Sequence, residues 1–171
     1  MALRQQLAFA RRYARSAVVN RGSAAPPVLP APHHPHPASW PDDRLTVSWL
    51  GHATVLLNFY GTWLVTDPAL ELRIGIGRGC AKLGPRRLVQ PALRARELPP
   101  LDAVLLSHAH MDHTDLGTLA RLPRDTHVVV QAGNRDLVRR FRTVDELAWG
   151  DSAEIGTCGW SRSRCDTGER G

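Results

Sequence analysis

The amino-acid sequence predicts one layered α/β domain, and three features of the chain lead to this prediction. Three apolar, strand-like segments follow one another between residues 45 and 66 with only short turns between them. Strand-like and helix-like segments then alternate between residues 103 and 155. A dense polar cluster directly follows one of these apolar segments, at the point where layered α/β proteins usually carry functional groups. Together these features favour a sheet that is covered by helices.

The first half of the predicted sheet is an antiparallel meander. Residues 45–50 alternate apolar and polar side chains, residues 53–59 form a second strand-like run, and residues 62–66 form a third. The turns Gly51-His52 and Tyr60-Gly61 separate these runs. Connections this short join antiparallel neighbours.

The second half alternates strands and helices. Residues 103–106 form a branched apolar run between Pro99-Pro100 and the polar cluster, which predicts a buried strand. The elements predicted after it are a helix at 115–122 stopped by Pro123, a strand at 126–130, a helix capped by Asn134 and running to Arg142, and short strands at 144–149 and 153–155 around Gly150-Asp151.

Residues 68–100 link the two halves and are rich in glycine and proline, so they predict an irregular loop. Loops of this length in compact domains tend to carry function. The basic side chains of this loop could meet an anionic substrate, or could equally be solvated surface charge. They are Arg73, Arg78, Lys82, Arg86, Arg87, Arg94 and Arg96.

The positive charge of the chain is concentrated before the predicted domain. The formal net charge is +6, yet residues 1–41 hold five arginines and no acid, so the remainder is almost neutral. A nucleic-acid partner is therefore not expected. We interpret residues 1–22 as a basic solvated tail with at most weak membrane-surface contact, in preference to an amphipathic helix or an organelle transit peptide.

Residues 23–43 predict a stiff linker rich in proline and histidine. Its histidines, His33, His34 and His36, lack a scaffold and would bind metal only adventitiously. The cysteines Cys80, Cys158 and Cys165 form no CxxC pair, which argues against disulfides and predicts a reducing, cytoplasmic setting. No apolar run is long enough to cross a membrane.

The polar cluster Ser107-His108-Ala109-His110-Met111-Asp112-His113 is the most informative stretch of the chain. A lone histidine here would ordinarily be a surface or capping residue. Three imidazoles and a carboxylate together suit zinc, iron or manganese instead. His108 and His110 lie two residues apart, and Asp112 and His113 are adjacent. A turning loop could therefore direct the two pairs at two neighbouring metal ions.

This cluster resembles the metal-binding signature of the metallo-β-lactamase fold superfamily. Other motifs are similar to the branch that contains N-acyl-phosphatidylethanolamine phospholipase D and the ascorbate-phosphate lactonases. They are Trp49-Leu50-Gly51-His52-Ala53-Thr54, Leu64-Val65-Thr66-Asp67-Pro68, Gly84-Pro85-Arg86-Arg87 and Leu98-Pro99-Pro100-Leu101-Asp102-Ala103-Val104-Leu105. The resemblance covers about residues 44–156.

The resemblance implies the N-terminal half of a four-layer αββα sandwich with a dinuclear, usually zinc, site at one sheet edge. It implies that His108 and His110 hold the first metal and that Asp112 and His113 face the second. Asp112 would also orient the nucleophilic water. Asp67 would be a supporting carboxylate near the ligands, or simply a turn residue before Pro68. For His52 we favour a structural role, in which its side chain forms a hydrogen bond that holds its loop. A place in the lining of the site is the alternative.

The last part of the sequence departs from the family. The family takes a third histidine, a bridging aspartate and a last histidine from downstream of the cluster, yet no histidine follows Gly156. Residues 157–171 show no strand pattern and hold two of the three cysteines. We interpret them as an aberrant tail produced by a frameshift near codon 156, because degenerate codons permit a family-like strand and His-Trp turn in another frame. A genuine short protein with a new tail is the alternative.

These features predict a metal-dependent hydrolase that acts on a phosphodiester, lactone or related ester in a small-molecule or lipid-like substrate. The intact family binds two zinc ions. Because the downstream ligands are missing, we expect one or none to be retained here, with impaired activity. An inactive fragment or pseudoenzyme is the alternative. A metal-dependent nuclease is a third hypothesis, which the neutral folded segment and the Gly-His-Ala-Thr motif oppose.

Overall fold

The computed structural model describes residues 27–75, 77, 82 and 84–155. These residues form a six-stranded sheet with short helical turns packed on it. The strands are β1 (Leu45–Gly51), β2 (Thr54–Phe59), β3 (Thr62–Thr66), β4 (Ala103–Leu106), β5 (His127–Gln131) and β6 (Val144–Leu147). The predicted tails, residues 1–22 and 157–171, and the beginning of the predicted linker lie outside the described residues.

The strands lie in the sheet in the order in which they occur in the chain. β1, β2 and β3 form the predicted antiparallel meander, with a register shift between Trp49 and Gly51. β3, β4, β5 and β6 run parallel, with Thr66 opposite Leu105 and Leu105 opposite Val129. The prediction of an α/β fold with an antiparallel start is confirmed, and the mixed sheet agrees with the half-sandwich that the resemblance implies.

One face of the sheet, which we call the covered face, carries the hydrophobic core. Leu56, Val65, Val104 and Val128 lie side by side across its four inner strands and are fully buried. Side chains from the loop and the helical turns pack against them; they include Leu70, Leu93, Leu119, Leu122, Val138 and Phe141. Every second residue of these strands therefore points into one continuous core, together with side chains from the elements that follow the strands.

The opposite face, which we call the open face, is apolar but far less covered along β1 and β2. On β1, Leu45, Val47 and Trp49 keep 48%, 53% and 53% of their surface exposed. Their partners on β2, among them Leu57 and Phe59, are only half-buried. The two faces thus differ in packing although both are apolar.

Only one α-helix occurs among the described residues, α1 (Leu116–Leu119). The side chain of Asp115 caps it by accepting the Gly117 N–H at 3.0 Å. The prediction of a longer helix to residue 122 is corrected. The chain continues to Leu122 through i→i+3 bonds, Arg121 N–H to Thr118 and Leu122 N–H to Leu119, before Pro123 ends it.

The predicted helix from Asn134 to Arg142 is wrong. A single 3₁₀ turn, Arg135–Val138, occupies this region, and Asn134 provides no side-chain cap. Its amide instead donates to the Gln131 carbonyl at 3.2 Å. Because Val138 and Phe141 are the buried residues of the segment, tight i→i+3 turns suffice to bury both.

The strand predicted at 144–149 ends at Leu147, and the one predicted at 153–155 does not form. Asp151 closes a turn instead, since its carboxylate accepts the Ala148 N–H at 2.9 Å. Trp149 projects fully into solvent. The apolar side chain of Trp149 favoured a strand in the prediction. In the structure, this side chain has no surface to pack against.

Residues 27–44 lie against the sheet and the long loop. Leu29 donates its N–H to Leu88 and accepts from Gln90, at 2.8 and 2.9 Å. Trp40 stacks on Trp63 with ring centroids 5.4 Å apart. Residues 68–100 are irregular as predicted, apart from a 3₁₀ turn at Ala95–Glu97 in the described part. No helix in the described ranges is long and apolar enough to cross a membrane.

Candidate metal centre

The predicted site residues meet at one edge of the sheet. Asp67 directly follows β3, and the cluster 107–113 directly follows β4. β3 and β4 are adjacent and parallel, so their carboxyl ends bring these side chains together. The β1–β2 turn, which carries His52, reaches the same edge because Val55 lies opposite Thr66. Three separate connections therefore contribute to one site.

Asp67 is fixed by both of the strands that it joins. Its backbone has the unusual φ of 40°, and its N–H donates to the Leu105 carbonyl at 2.9 Å. Its own carbonyl accepts the Thr54 hydroxyl at 2.8 Å. The carboxylate is nearly buried and accepts the Ser107 N–H at 2.8 Å and the Ser107 hydroxyl at 2.7 Å. These bonds hold the carboxylate in one orientation at the base of the cluster.

The Asp67 carboxylate also sets the orientation of His113. Its Oδ2 lies 2.9 Å from His113 Nδ1. A proton on Nδ1 then satisfies this bond and leaves the lone pair of Nε2 free on the other side of the ring. This is the arrangement by which a carboxylate orients a metal-binding histidine.

Ser107 orients the ring of His108 in the same way that Asp67 orients His113. Its hydroxyl donates to Asp67, so its oxygen can accept from His108 Nδ1 at 3.0 Å. His108 Nε2 then faces His110 Nδ1, which is 3.0 Å away. The Thr114 hydroxyl donates to the His108 carbonyl at 2.7 Å and fixes the backbone. His108 and His110 thus hold one ring nitrogen each within hydrogen-bond distance of the other.

A second group of ligand atoms forms around Asp112. Asp112 Oδ2 lies 3.0 Å from His52 Nε2 and 3.7 Å from His113 Nε2. One ligand atom from each of His52, Asp112 and His113 lies within 4.8 Å of the other two. His108 joins the two groups, because its ring centroid is 4.0 Å from that of His113.

The electrostatics of the cluster favour an ionised Asp112. Partial burial raises the pKa of its carboxyl group, but the hydrogen bond from His52, a backbone hydrogen bond and the charge of His113 together outweigh it. The net effect holds the pKa of Asp112 below its ordinary value of 3.8. The carboxylate is therefore a charged oxygen donor beside two imidazoles.

The segment that follows the cluster is anchored by buried charges. Lys82 Nζ, whose side chain is 1% exposed, lies 2.5 Å from Asp115 Oδ1 and 3.1 Å from Glu71 Oε2. Asp115 also accepts the Thr118 hydroxyl at 2.9 Å. Arg87 donates to the carbonyls of Ala69 and Glu71, and burial lowers its pKa below the ordinary value. These contacts tie the long loop to the start of α1, next to the cluster.

The structure brings together every residue predicted for the site, namely His52, Asp67, His108, His110, Asp112 and His113. It adds Ser107, which the sequence showed only as the first member of the cluster. Its position between the end of β4 and the first histidine was the available sign, since a hydroxyl there can reach both neighbours. Oxygen and imidazole donors at these separations fit a divalent transition metal.

A family model described as the Beta-lactamase superfamily domain matches residues 62–163. The match takes in β3 to β6 and the whole cluster after β4. The chain belongs to the metallo-β-lactamase superfamily. The resemblance inferred from the motifs is confirmed.

The curated relatives that this chain matches are considerably longer than the chain itself. The chain is 34% identical over 148 residues to an uncharacterised protein of Mycobacterium tuberculosis, covering 81% of this chain and 38% of that protein. It is 32% identical over 145 residues to N-acyl-phosphatidylethanolamine-hydrolyzing phospholipase D 1 of Caenorhabditis elegans, covering 76% and 40%. The chain therefore spans about two-fifths of the length of these curated relatives.

A solved structure of isothiocyanate hydrolase from Delia radicum gut bacteria is 27% identical, with a TM-score of 0.49. The superposition covers 60% of this chain and 41% of that one.

Proposed function

We propose that this chain carries the first part of a divalent-metal site for the hydrolysis of a phosphodiester, lactone or related ester. The observation that carries the proposal is the pair of ring nitrogens, His108 Nε2 and His110 Nδ1, held 3.0 Å apart at the sheet edge. Two nitrogens bound at ~2.0–2.1 Å to one tetrahedral zinc ion are about 3.3 Å apart. The donor pair therefore fits zinc with a small outward movement.

The donor set divides into two groups. His108 and His110 would hold one ion, and Asp112 with His113 would face a second. His52 lies at hydrogen-bond distance from Asp112, so it either holds this carboxylate or serves as a further ligand. When bound, divalent ions supply Lewis acidity at the ester oxygen and a water activated near neutral pH. Zinc is our first choice, and manganese and iron accept the same donors.

The chain's own residues would then orient the reacting groups. Asp112, ionised and partly exposed, can accept a proton from an attacking water and orient it. Asp67 and Ser107 hold the rings of His113 and His108 with their Nδ1 atoms occupied. The Nε2 atoms of both rings are therefore presented to the metal without a competing proton.

The substrate class is proposed from the relatives. One relative is named for hydrolysis of N-acyl-phosphatidylethanolamine, a lipid phosphodiester. We therefore place a phosphodiester of a lipid-like or small molecule first and a lactone second. The described residues offer two nitrogens to the first ion, whereas catalytic zinc sites usually take three protein ligands. We therefore propose weak metal binding and low turnover for this chain by itself.

The test is zinc binding by equilibrium dialysis, in a background in which His33, His34 and His36 are replaced by Ala to remove adventitious binding. H108A/H110A should abolish most zinc binding. D67N should weaken it about 10–100-fold, because it removes the carboxylate that orients His113 directly and His108 through Ser107. The matched control is H127A: His127 pairs with Asp145 at 2.9 Å at the opposite ends of the strands. Equal zinc binding by H108A/H110A and H127A would refute the metal site.

Hydrolysis of bis(p-nitrophenyl) phosphate by the zinc-loaded chain separates the remaining alternatives. Turnover that disappears in H108A/H110A but survives in H127A supports a hydrolase. Zinc binding without turnover on phosphodiesters or lactones would identify a pseudoenzyme. Aggregation without cooperative unfolding would identify a fragment that cannot fold alone.

A further inference from the structure

A cavity lies apart from the proposed metal site, between the long loop and α1. Its volume is about 510 Å³, and it is lined by residues 70–73, the stretch around 90–96, Arg86, Thr118 and Arg121. None of the six predicted site residues lines it. It is larger than the cavity of about 80 Å³ beside Trp49 and His52, and the proposed metal function does not use it.

Cations dominate the wall of this cavity. Among the described residues, five arginines line it, against a single acid, Glu71; they are Arg73, Arg86, Arg94, Arg96 and Arg121. Glu71 is already paired with Arg121 and with Lys82, whose Nζ lies 3.1 Å from Oε2. The remaining four arginines therefore have no carboxylate to offset their charge in the part of the lining that the structure describes.

The backbone forces two of these cations together. Arg73 and Arg86 face each other in an isolated antiparallel bridge. The bridge is fixed by the Ile74 N–H to Pro85 carbonyl bond at 3.0 Å and the Arg87 N–H to Leu72 carbonyl bond at 2.9 Å. Like charges directly opposite each other in such a pair are unfavourable. An anion bound between them would relieve this repulsion.

The partners of these arginines leave donors available. Arg73 donates one Nη1 bond to the Gly84 carbonyl at 2.9 Å, which orients its guanidinium. Arg86 and Arg96 are exposed, and their side chains have no hydrogen-bond or ion-pair partner among the residues that the structure describes. A guanidinium offers five N–H donors in a planar fork that matches phosphate oxygens.

Part of the lining of the cavity is apolar, and we call this part the floor. Leu70, Leu72, Pro91 and Ala95 contribute to it, and Leu72 keeps 47% of its surface exposed. Arginines beside an apolar floor suit a ligand that has an anionic group at one end and a hydrocarbon group at the other. Inorganic phosphate alone would leave the floor uncovered.

We propose that this cavity binds a phosphate ester that carries an apolar group, at a site separate from the metal cluster. The phosphate lies among Arg73, Arg86 and Arg96, and the hydrocarbon part lies on Leu72 and Pro91. The ligand is either a soluble phosphate monoester or the headgroup of an anionic lipid, since both present the same chemistry.

The test is isothermal titration calorimetry of metal-free protein with octyl phosphate below its micelle-forming concentration. Saturable binding is expected, and R86Q/R96Q should weaken it at least about tenfold, because charge-assisted bonds are lost. The matched control is R124Q/R139Q, which removes the same charge from two exposed arginines outside the cavity. Far-ultraviolet circular dichroism of each variant checks that the fold is retained.

Absence of saturable binding, or an equal loss in R124Q/R139Q, would overturn the proposal. Equally tight binding of inorganic phosphate would overturn the role of the apolar floor. Octyl glucoside, which has the chain without the charge, should not bind. Sedimentation with phosphatidylcholine vesicles that contain phosphatidic acid then identifies the source: loss of vesicle binding in R86Q/R96Q alone supports a lipid, and octyl phosphate binding without vesicle binding supports a soluble ester.

Discussion

The two faces of the sheet are built from the same six strands but are packed very differently. On the covered face, Leu56 and Val65 are completely buried under the long loop and α1. On the open face, Val47 and Trp49 each keep 53% of their surface exposed. The difference shows that the stability of the described domain rests on the covered face, because apolar burial contributes in proportion to the area removed from water.

The burial of the covered face depends in turn on how the long loop and α1 are attached to each other and to the sheet. α1 is only one turn long, and so short a helix has little stability of its own. Three contacts hold it in place: the Asp115 cap, the ion pair of Asp115 with Lys82, and the Thr118 hydroxyl that accepts the Leu70 N–H at 2.9 Å. The comparison of the two faces can therefore be tested both at the sheet and at this attachment.

The largest effect is expected from K82M. This change leaves the buried Asp115 carboxylate without its cation and should lower the free energy of unfolding by about 3–5 kcal/mol. Urea denaturation measures it. Adding D115N removes the unpaired charge, so the double variant K82M/D115N should recover part of the loss. A K82M protein as stable as the parent would show that the cover does not depend on this ion pair.

A smaller effect distinguishes the two faces directly, since Leu56 and Leu57 are neighbours that point to opposite sides of β2. L56A should lower the free energy of unfolding by about 2–5 kcal/mol, because it leaves a cavity in the core. L57A, on the half-buried open face, should cost about 1 kcal/mol or less. The same urea titration compares the two variants. Equal losses would contradict the assignment of the faces.

The smallest effect concerns acid. Burial raises the pKa of the Glu71 carboxyl group, but hydrogen bonds and charges from Arg121 and Lys82 bring it below its ordinary value of 4.5. A carboxyl group whose pKa is lower in the folded than in the unfolded state stabilises the fold at pH values above its unfolded-state pKa. This stabilisation is lost as the pH falls through the pKa that the group has in the folded state. The melting temperature should therefore decrease below about pH 4.5, and in E71Q this decrease should be shallower. Parallel pH profiles for the parent and E71Q would contradict this role.

The strands and the cluster could be predicted because their causes are local. Alternation along Leu45–Gly51 and the branched run Ala103–Leu106 correspond to strands in the structure. Period-two patterns depend on the chain itself. The failures lie where packing decides: residues 134–142 have helix-forming side chains but form one 3₁₀ turn, and residues 153–155 have no neighbouring strand to pair with in the described sheet.

The sequence by itself determined the seven-residue polar cluster, the strand before it and membership in the metallo-β-lactamase superfamily, because ligand types and strand patterns lie close together along the chain. Only the tertiary structure decided that Asp67 and Ser107 orient His113 and His108, and that His52 reaches Asp112. It also decided that Arg73 and Arg86 face each other across one cavity. Residues that are distant in sequence meet only where adjacent strand ends or paired backbones bring them together, and no local pattern encodes that distance.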